Sequence, residues 1–111
     1  MNTLAIDIGG TKFTIAVFDD AGGMIRRESR ATDREGGKDW MLARIAEIAR
    51  GWAAELPLGR CAIGFGGPVD FEKQMVALST HVGGWADFDL CGWVRSELGI
   101  ASVSFNSFVV Q

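Results

Sequence analysis

The chain has 111 residues, of which 48% are hydrophobic and 23% charged, and a formal net charge of −3. That length suits one domain at most, and the apolar content argues against intrinsic disorder. The acidic balance, with no basic run longer than Arg26–Arg27, disfavours nucleic acid as a partner. No apolar run approaches the ~18 residues of a membrane-spanning helix.

Met1–Asp7 lacks the basic and long apolar regions of a signal peptide. Leu4, Ile6 and Ile8 alternate on one face and predict a first strand over Leu4–Ile8. Phe13–Phe18, rich in β-branched and aromatic residues, predicts a second. Asp19–Gly23 is a turn, and Met24–Arg30 is a third, more polar strand expected near an edge. Short connections between the three predict an antiparallel meander.

Arg34–Lys38 reads as a polar break, after which Asp39 is expected to cap a helix reaching about Glu55. Met41, Ile45, Ile48 and Trp52 form its apolar stripe, and Pro57 helps to stop it. Arg60–Gly66 reads as a buried strand around Cys61-Ala62-Ile63, and Gln74–Leu78 as a short extended piece. Asp89 is expected to cap a second helix with Leu90, Trp93, Val94 and Leu98 inward and Gly99 at its end. Ser102–Phe105 is the last strand. The order β-β-β-α-β-β-α-β predicts an α/β fold, a mixed sheet packed on helices.

Cys61 and Cys91 form no CxxC, and the single histidine, His81, cannot complete a four-ligand zinc site with them. Two thiols in a chain read as leaderless point to a reducing cytoplasm.

Three stretches can carry chemistry. Asp7-Ile8-Gly9-Gly10-Thr11-Lys12 sits at a tight turn between two strands. Consecutive glycines let backbone N–H groups face one concavity, which suits a phosphate. Thr11 adds a hydroxyl, Lys12 a cation, and Asp7 a carboxylate able to orient hydrated Mg²⁺. Local chemistry alone is better served by a glycine hairpin with incidental polar residues. The stretch does not match GxxxxGK[ST], and no helix follows it, so it is not a P-loop.

Gly64-Phe65-Gly66-Gly67-Pro68-Val69-Asp70 ends a strand with bare backbone, as a ligand site or simply a rigid turn requires. Ser79-Thr80-His81-Val82-Gly83-Gly84-Trp85 gathers hydroxyls, a titratable ring and an aromatic, groups that suit a carbohydrate. A lone histidine is more often a surface or capping residue.

Together these motifs resemble a family. The Asp7–Lys12 turn is similar to the first phosphate motif of the sugar kinase, hexokinase and actin superfamily. Gly64–Asp70, Leu78-Ser79, Gly84-Trp85, Phe88-Asp89-Leu90, Leu98-Gly99 and Asn106 then resemble the ROK family of bacterial sugar kinases and sugar-responsive repressors. The resemblance runs from Leu4 to about Ser107. It implies a ribonuclease-H-like, actin-like ATPase fold of five or six strands. It implies Mg-ATP phosphates at Asp7, Gly9, Gly10, Thr11 and Lys12, and a sugar bordered by Gly66, Gly67, His81 and Asn106.

The chain also departs from the family pattern. Where the kinases carry an Asn-Asp pair, this sequence reads Asn106-Ser107. The aspartate accepts the proton of the attacking sugar hydroxyl, and losing such a base costs about 10²–10⁴-fold in rate. His81 stands where many relatives have asparagine. The family's second lobe, with its second phosphate loop, adenosine pocket and structural zinc, would follow Gln111. The expectation is thus a single N-terminal lobe over residues 1–111, inactive alone, meeting sugar and ATP once a second lobe is supplied. A non-catalytic sugar-sensing or interaction domain, or a structural fragment, is the alternative. A repressor is disfavoured, since the first strand begins at Leu4. The apolar run Phe105-Asn106-Ser107-Phe108-Val109-Val110 predicts self-association through an exposed patch.

Overall fold

Period-two alternation drives the first third of the chain into a hairpin meander. Strand β1 (Asn2–Ile8) pairs antiparallel with β2 (Lys12–Phe18), placing Ile6 opposite Ile15 and Ile8 opposite Phe13. β2 in turn pairs antiparallel with β3 (Met24–Ala31). The computed structural model describes residues 1–66, 69–70, 75–76, 85 and 88–105. The elements that follow are helix α1 (Gly37–Ala53), strand β4 (Leu58–Phe65), the short strands β5 (Val69–Asp70) and β6 (Met75–Val76), helix α2 (Leu90–Leu98) and strand β7 (Ser102–Phe105).

β4 lies parallel to β1, and β7 parallel to β4, giving the strand order β3-β2-β1-β4-β7. The expected mixed sheet is therefore observed, with β1 at its centre and the polar β3 at an edge. The extended piece expected over Gln74–Leu78 is described only at Met75–Val76. There it pairs with Val69–Asp70 in a separate two-stranded sheet.

One face of the sheet carries the core. Leu4, Ile6 and Ile8 of β1, Phe13, Ile15 and Val17 of β2, Cys61 and Ile63 of β4, and Val103 and Phe105 of β7 form a single buried cluster. α1 adds Met41, Leu42, Ile45, Ile48 and Ala49 to it, and α2 adds Leu90, Cys91 and Val94. Trp52, Trp93 and Leu98 pack against the cluster but stay partly exposed. Cys91 was not among the expected inward residues; it sits one position after Leu90 on the same buried side. Both cysteines are free and buried, and burial drives the Cys61 thiol up to about 12, with Cys91 adding to the shift. On the other face Ala5 and Ala16 are covered by Phe18, while buried Thr14 shares a 2.6 Å hydrogen bond with Ser29 Oγ.

The expected termini of α2 are both observed, whereas the expected cap of α1 is not. Asp89 caps α2, its Oδ1 accepting the Gly92 N–H at 2.9 Å, and Gly99 closes it in the left-handed region at φ 68°. Asp39 does not cap α1: the helix begins two residues earlier, behind Gly36, with no side-chain cap. The Asp33 carboxylate instead accepts the Glu35 and Gly36 N–H groups at 3.1 and 3.2 Å, shaping the turn that feeds the helix. Asp39 lies within the first turn of the helix, where its charge complements the helix dipole.

Candidate functional site

Because β1, β4 and β7 run parallel, their carboxyl ends share one end of the sheet, the customary place for ligands in an open α/β fold. The Asp7–Lys12 turn follows β1 there, and Gly66 follows β4. Gly66 donates its N–H to the Ile8 carbonyl at 2.8 Å, fastening the two segments together. A Cβ on Gly66 would stand 3.1 Å from that carbonyl oxygen and 3.5 Å from the Gly9 Cα. Close approach, rather than an unusual dihedral, thus requires the glycine.

The turn itself closes with the Gly9 N–H donating to the Lys12 carbonyl at 3.0 Å. Left-handed glycines occur elsewhere in the described residues, at Gly22, Gly37 and Gly99. Gly9 is needed for space, since a Cβ there would meet the Lys12 carbonyl at 3.0 Å.

Three carbonyls of the turn are engaged from the segment after β3. Thr32 donates its N–H to the Thr11 carbonyl at 2.9 Å and its Oγ1 to the Gly9 carbonyl at 3.3 Å. Arg34 Nε donates to the Gly10 carbonyl at 3.1 Å. By contrast, the Gly10 and Thr11 N–H groups take no acceptor among the described residues. Asp7 is half-buried, and burial raises its carboxyl above the ordinary range while Lys12 pulls it back.

These donors fit an oxyanion. The Gly10 and Thr11 amides, the Thr11 hydroxyl and the Lys12 ammonium offer hydrogen bonds and positive charge, with the half-buried Asp7 carboxylate near Lys12. No three His, Cys, Asp or Glu side chains come together among the described residues. Asp7 alone suits Mg²⁺ arriving with phosphates and keeping its water, not a dedicated protein cage.

The expected sugar side is only partly within view. Gly66 lies at the turn as described. Gly67, His81, Asn106 and Ser107 fall outside the described residues. Trp85, expected as a loop aromatic, is a core residue 1% exposed. Its ring meets Phe65 edge-on at 5.2 Å and Phe88 at 5.8 Å. Lys38 Nζ stands 4.3 Å from the Phe88 ring centroid. Phe105, expected in an exposed apolar patch, is 6% exposed and belongs to the core; residues 106–111 lie outside the described residues.

Thr32 and Arg34 were missed from the sequence, where they sat in or beside a polar break. The signal that could have found them is strand register: Lys12 pairs with Ala31, which brings the next residues of β3's continuation against the turn. A cavity of about 270 Å³ at the opposite end of the sheet, lined by Thr3, Ala5, Phe18, Asp19, Asp20, Gly22 and Arg60, contains none of the expected site residues.

The ROK family sequence model matches residues 3–106. An N-acetylmannosamine kinase from Yersinia pestis (strain Pestoides F) is 30% identical over 103 residues, covering 93% of this chain and 34% of the relative. A glucokinase from Thermotoga maritima is 27% identical over 99 residues, covering 89% of this chain and 31% of that enzyme. Among solved structures, a ROK family glucokinase from Streptomyces griseus in complex with glucose and AMPPNP superposes with a TM-score of 0.80 at 24% identity, covering 96% of this chain and 33% of that one. A ROK family transcriptional regulator superposes with a TM-score of 0.76 at 21% identity, covering 94% of this chain and 27% of that one. The chain thus spans about a third of the length of the curated relatives it matches. The fold is the actin-like fold of those sugar kinases. With the family's pattern matched from the first strand to the end of the last, the chain belongs to the ROK family.

Proposed function

We propose that this chain is the phosphate- and sugar-contacting N-terminal lobe of an ATP-dependent hexose or N-acetylhexosamine kinase. The observation that carries the reading is the pair of unengaged amides at Gly10 and Thr11, set between Lys12 and Asp7 at the carboxyl ends of the parallel strands. Gly9, Gly10, Thr11 and Lys12 would hold ATP phosphates, and Asp7 a water of the accompanying Mg²⁺. Gly66, Gly67, His81 and Asn106 would border the sugar. The relatives named N-acetylmannosamine kinase and glucokinase support this substrate class.

Ser107 stands at the position of the family's catalytic aspartate. A serine hydroxyl cannot accept the sugar's proton near neutral pH as a carboxylate does. Phosphoryl transfer also needs a closed site that positions the γ-phosphate and excludes water. The chain is therefore inactive alone and binds without turning over. That same serine favours a second reading, a non-catalytic sugar-sensing domain.

Calorimetric titration with Mg-AMPPNP, glucose and N-acetylmannosamine tests binding. Heat of binding for the nucleotide supports the kinase-lobe reading, and heat for a sugar alone supports the sensing one. No heat at millimolar ligand from a folded chain refutes both. Ser107→Asp, mixed with the C-terminal lobe of a related kinase, should give turnover that neither the wild-type chain with that lobe nor the variant without it shows. Sedimentation equilibrium tests self-association through Phe108, Val109 and Val110; a clean monomer at high concentration refutes it.

A further inference from the structure

We propose that Thr32 and Arg34 are positioning residues that turn the backbone of the Gly9–Thr11 turn toward a bound polyphosphate. The proposal rests on the phosphate reading above and names what builds that site. A trans peptide group is planar, so its C=O and the following N–H point in opposite directions, and no cis bond occurs among the described residues. The Gly9 carbonyl, held by Thr32 Oγ1, therefore aims the Gly10 N–H away from Thr32. The Gly10 carbonyl, held by Arg34 Nε, aims the Thr11 N–H away from Arg34. Those are the two amides of the turn that take no acceptor among the described residues.

Thr32 is well suited to the task because it grips twice. Its backbone N–H fixes the Thr11 carbonyl while its hydroxyl fixes the Gly9 carbonyl, so one residue spans the whole turn. Arg34 adds charge to the same effect. A guanidinium donor on the Gly10 carbonyl polarises the peptide group that carries the Thr11 N–H, making that N–H a stronger donor to an anion. The Asp33 carboxylate, bonded to the Glu35 and Gly36 N–H groups, stiffens the segment between the two.

The test uses the full chain, isotope-labelled, with the variants Thr32→Val, Thr32→Ser, Arg34→Ala and Arg34→Lys. In the ligand-free protein, Thr32→Val should move the Gly10 amide resonance and speed its hydrogen exchange, while Thr32→Ser should leave both near wild type. Arg34→Ala should move the Thr11 amide. With Mg-AMPPNP in the calorimeter, Thr32→Val and Arg34→Ala should each weaken binding about tenfold, the loss of roughly one hydrogen bond. Thr32→Ser should stay within about twofold, and Arg34→Lys should fall between.

Arg34 is exposed, so its variants report even where a Thr32 variant fails to fold. Unmoved amides, equal effects of Thr32→Val and Thr32→Ser, or unchanged affinity with moved amides would each overturn the proposal. A wild-type chain that binds no Mg-AMPPNP would refute the nucleotide reading instead, and the ligand-free amides would still decide whether the two residues orient the turn.

Discussion

Replacing Gly66 by alanine puts the contact between β4 and the Asp7–Lys12 turn under direct load. The added Cβ would lie 3.1 Å from the Ile8 carbonyl oxygen, several tenths of an ångström inside ordinary contact. The same oxygen accepts the Gly66 N–H at 2.8 Å, so backing away from the methyl lengthens the bond. Overpacking of this kind costs about 1–3 kcal/mol, and a weakened hydrogen bond adds up to about 1 kcal/mol. Against this, alanine restricts the unfolded chain and returns about 0.4–1 kcal/mol. The net loss is then about 2 kcal/mol, a fall in Tm of roughly 8 °C for a domain of this size. Gly51→Ala is the internal control: Gly51 lies in α1 with nothing within 4 Å of a built Cβ, and the substitution should stabilise by about 0.5–1 kcal/mol. Thermal melts followed by circular dichroism give both values. A Gly66→Ala protein as stable as wild type, or gaining stability alongside Gly51→Ala, would refute the close-approach argument.

Asp89→Ala removes the α2 cap and should cost about 1 kcal/mol in urea unfolding, with the m-value unchanged. Asp7→Asn tests the raised carboxyl. Burial penalises the ionised form only in the folded state, so the penalty is absent below the ordinary value of 3.8 and complete above the raised folded-state value. The variant should therefore melt higher than wild type at pH 7, with the gain shrinking as pH falls toward that value; a gain independent of pH would contradict it. The Cys61 thiol, pushed up to about 12, should resist a disulfide reagent at pH 8 and react only at the rate of unfolding. Rapid labelling of Cys61 in the native protein would show that β4 is open to solvent.

Much of the architecture was legible because periodicity reports burial. The alternation of Leu4, Ile6 and Ile8 and the stripe Met41, Ile45 and Ile48 all proved to face the core. The Asp89 cap and Gly99 terminus were legible because their chemistry is local. Asp39 misled because an acidic residue serves equally as a cap or within the first turn, and the helix begins behind Gly36 with no side-chain cap. Trp85 misled because glycines and hydroxyls before it looked like a ligand loop, whereas its partners Phe65 and Phe88 are distant in sequence or invisible to a local pattern. The Asp7–Lys12 turn was legible as a candidate from its residue types. Thr32 and Arg34 were not, because they act on backbone carbonyls, which leave no trace in residue identity.

The position of β1 between an antiparallel and a parallel neighbour has a consequence for the order of folding. Among the described residues, the hydrogen bonds to the Gly9–Thr11 carbonyls and the Gly9–Lys12 closure lie within residues 9–34. The bond from Gly66 to Ile8 closes a far longer loop, and each doubling of loop length adds about 0.6 kcal/mol of closure entropy. The meander, and the Asp7–Lys12 turn with it, is thus favoured to form first, and β4 docks onto a turn already shaped. Conservative substitutions in β2 and β3 should slow folding, while those at the β1–β4 seam should chiefly speed unfolding. The turn proposed to hold phosphate is, in folding terms, the oldest part of the molecule.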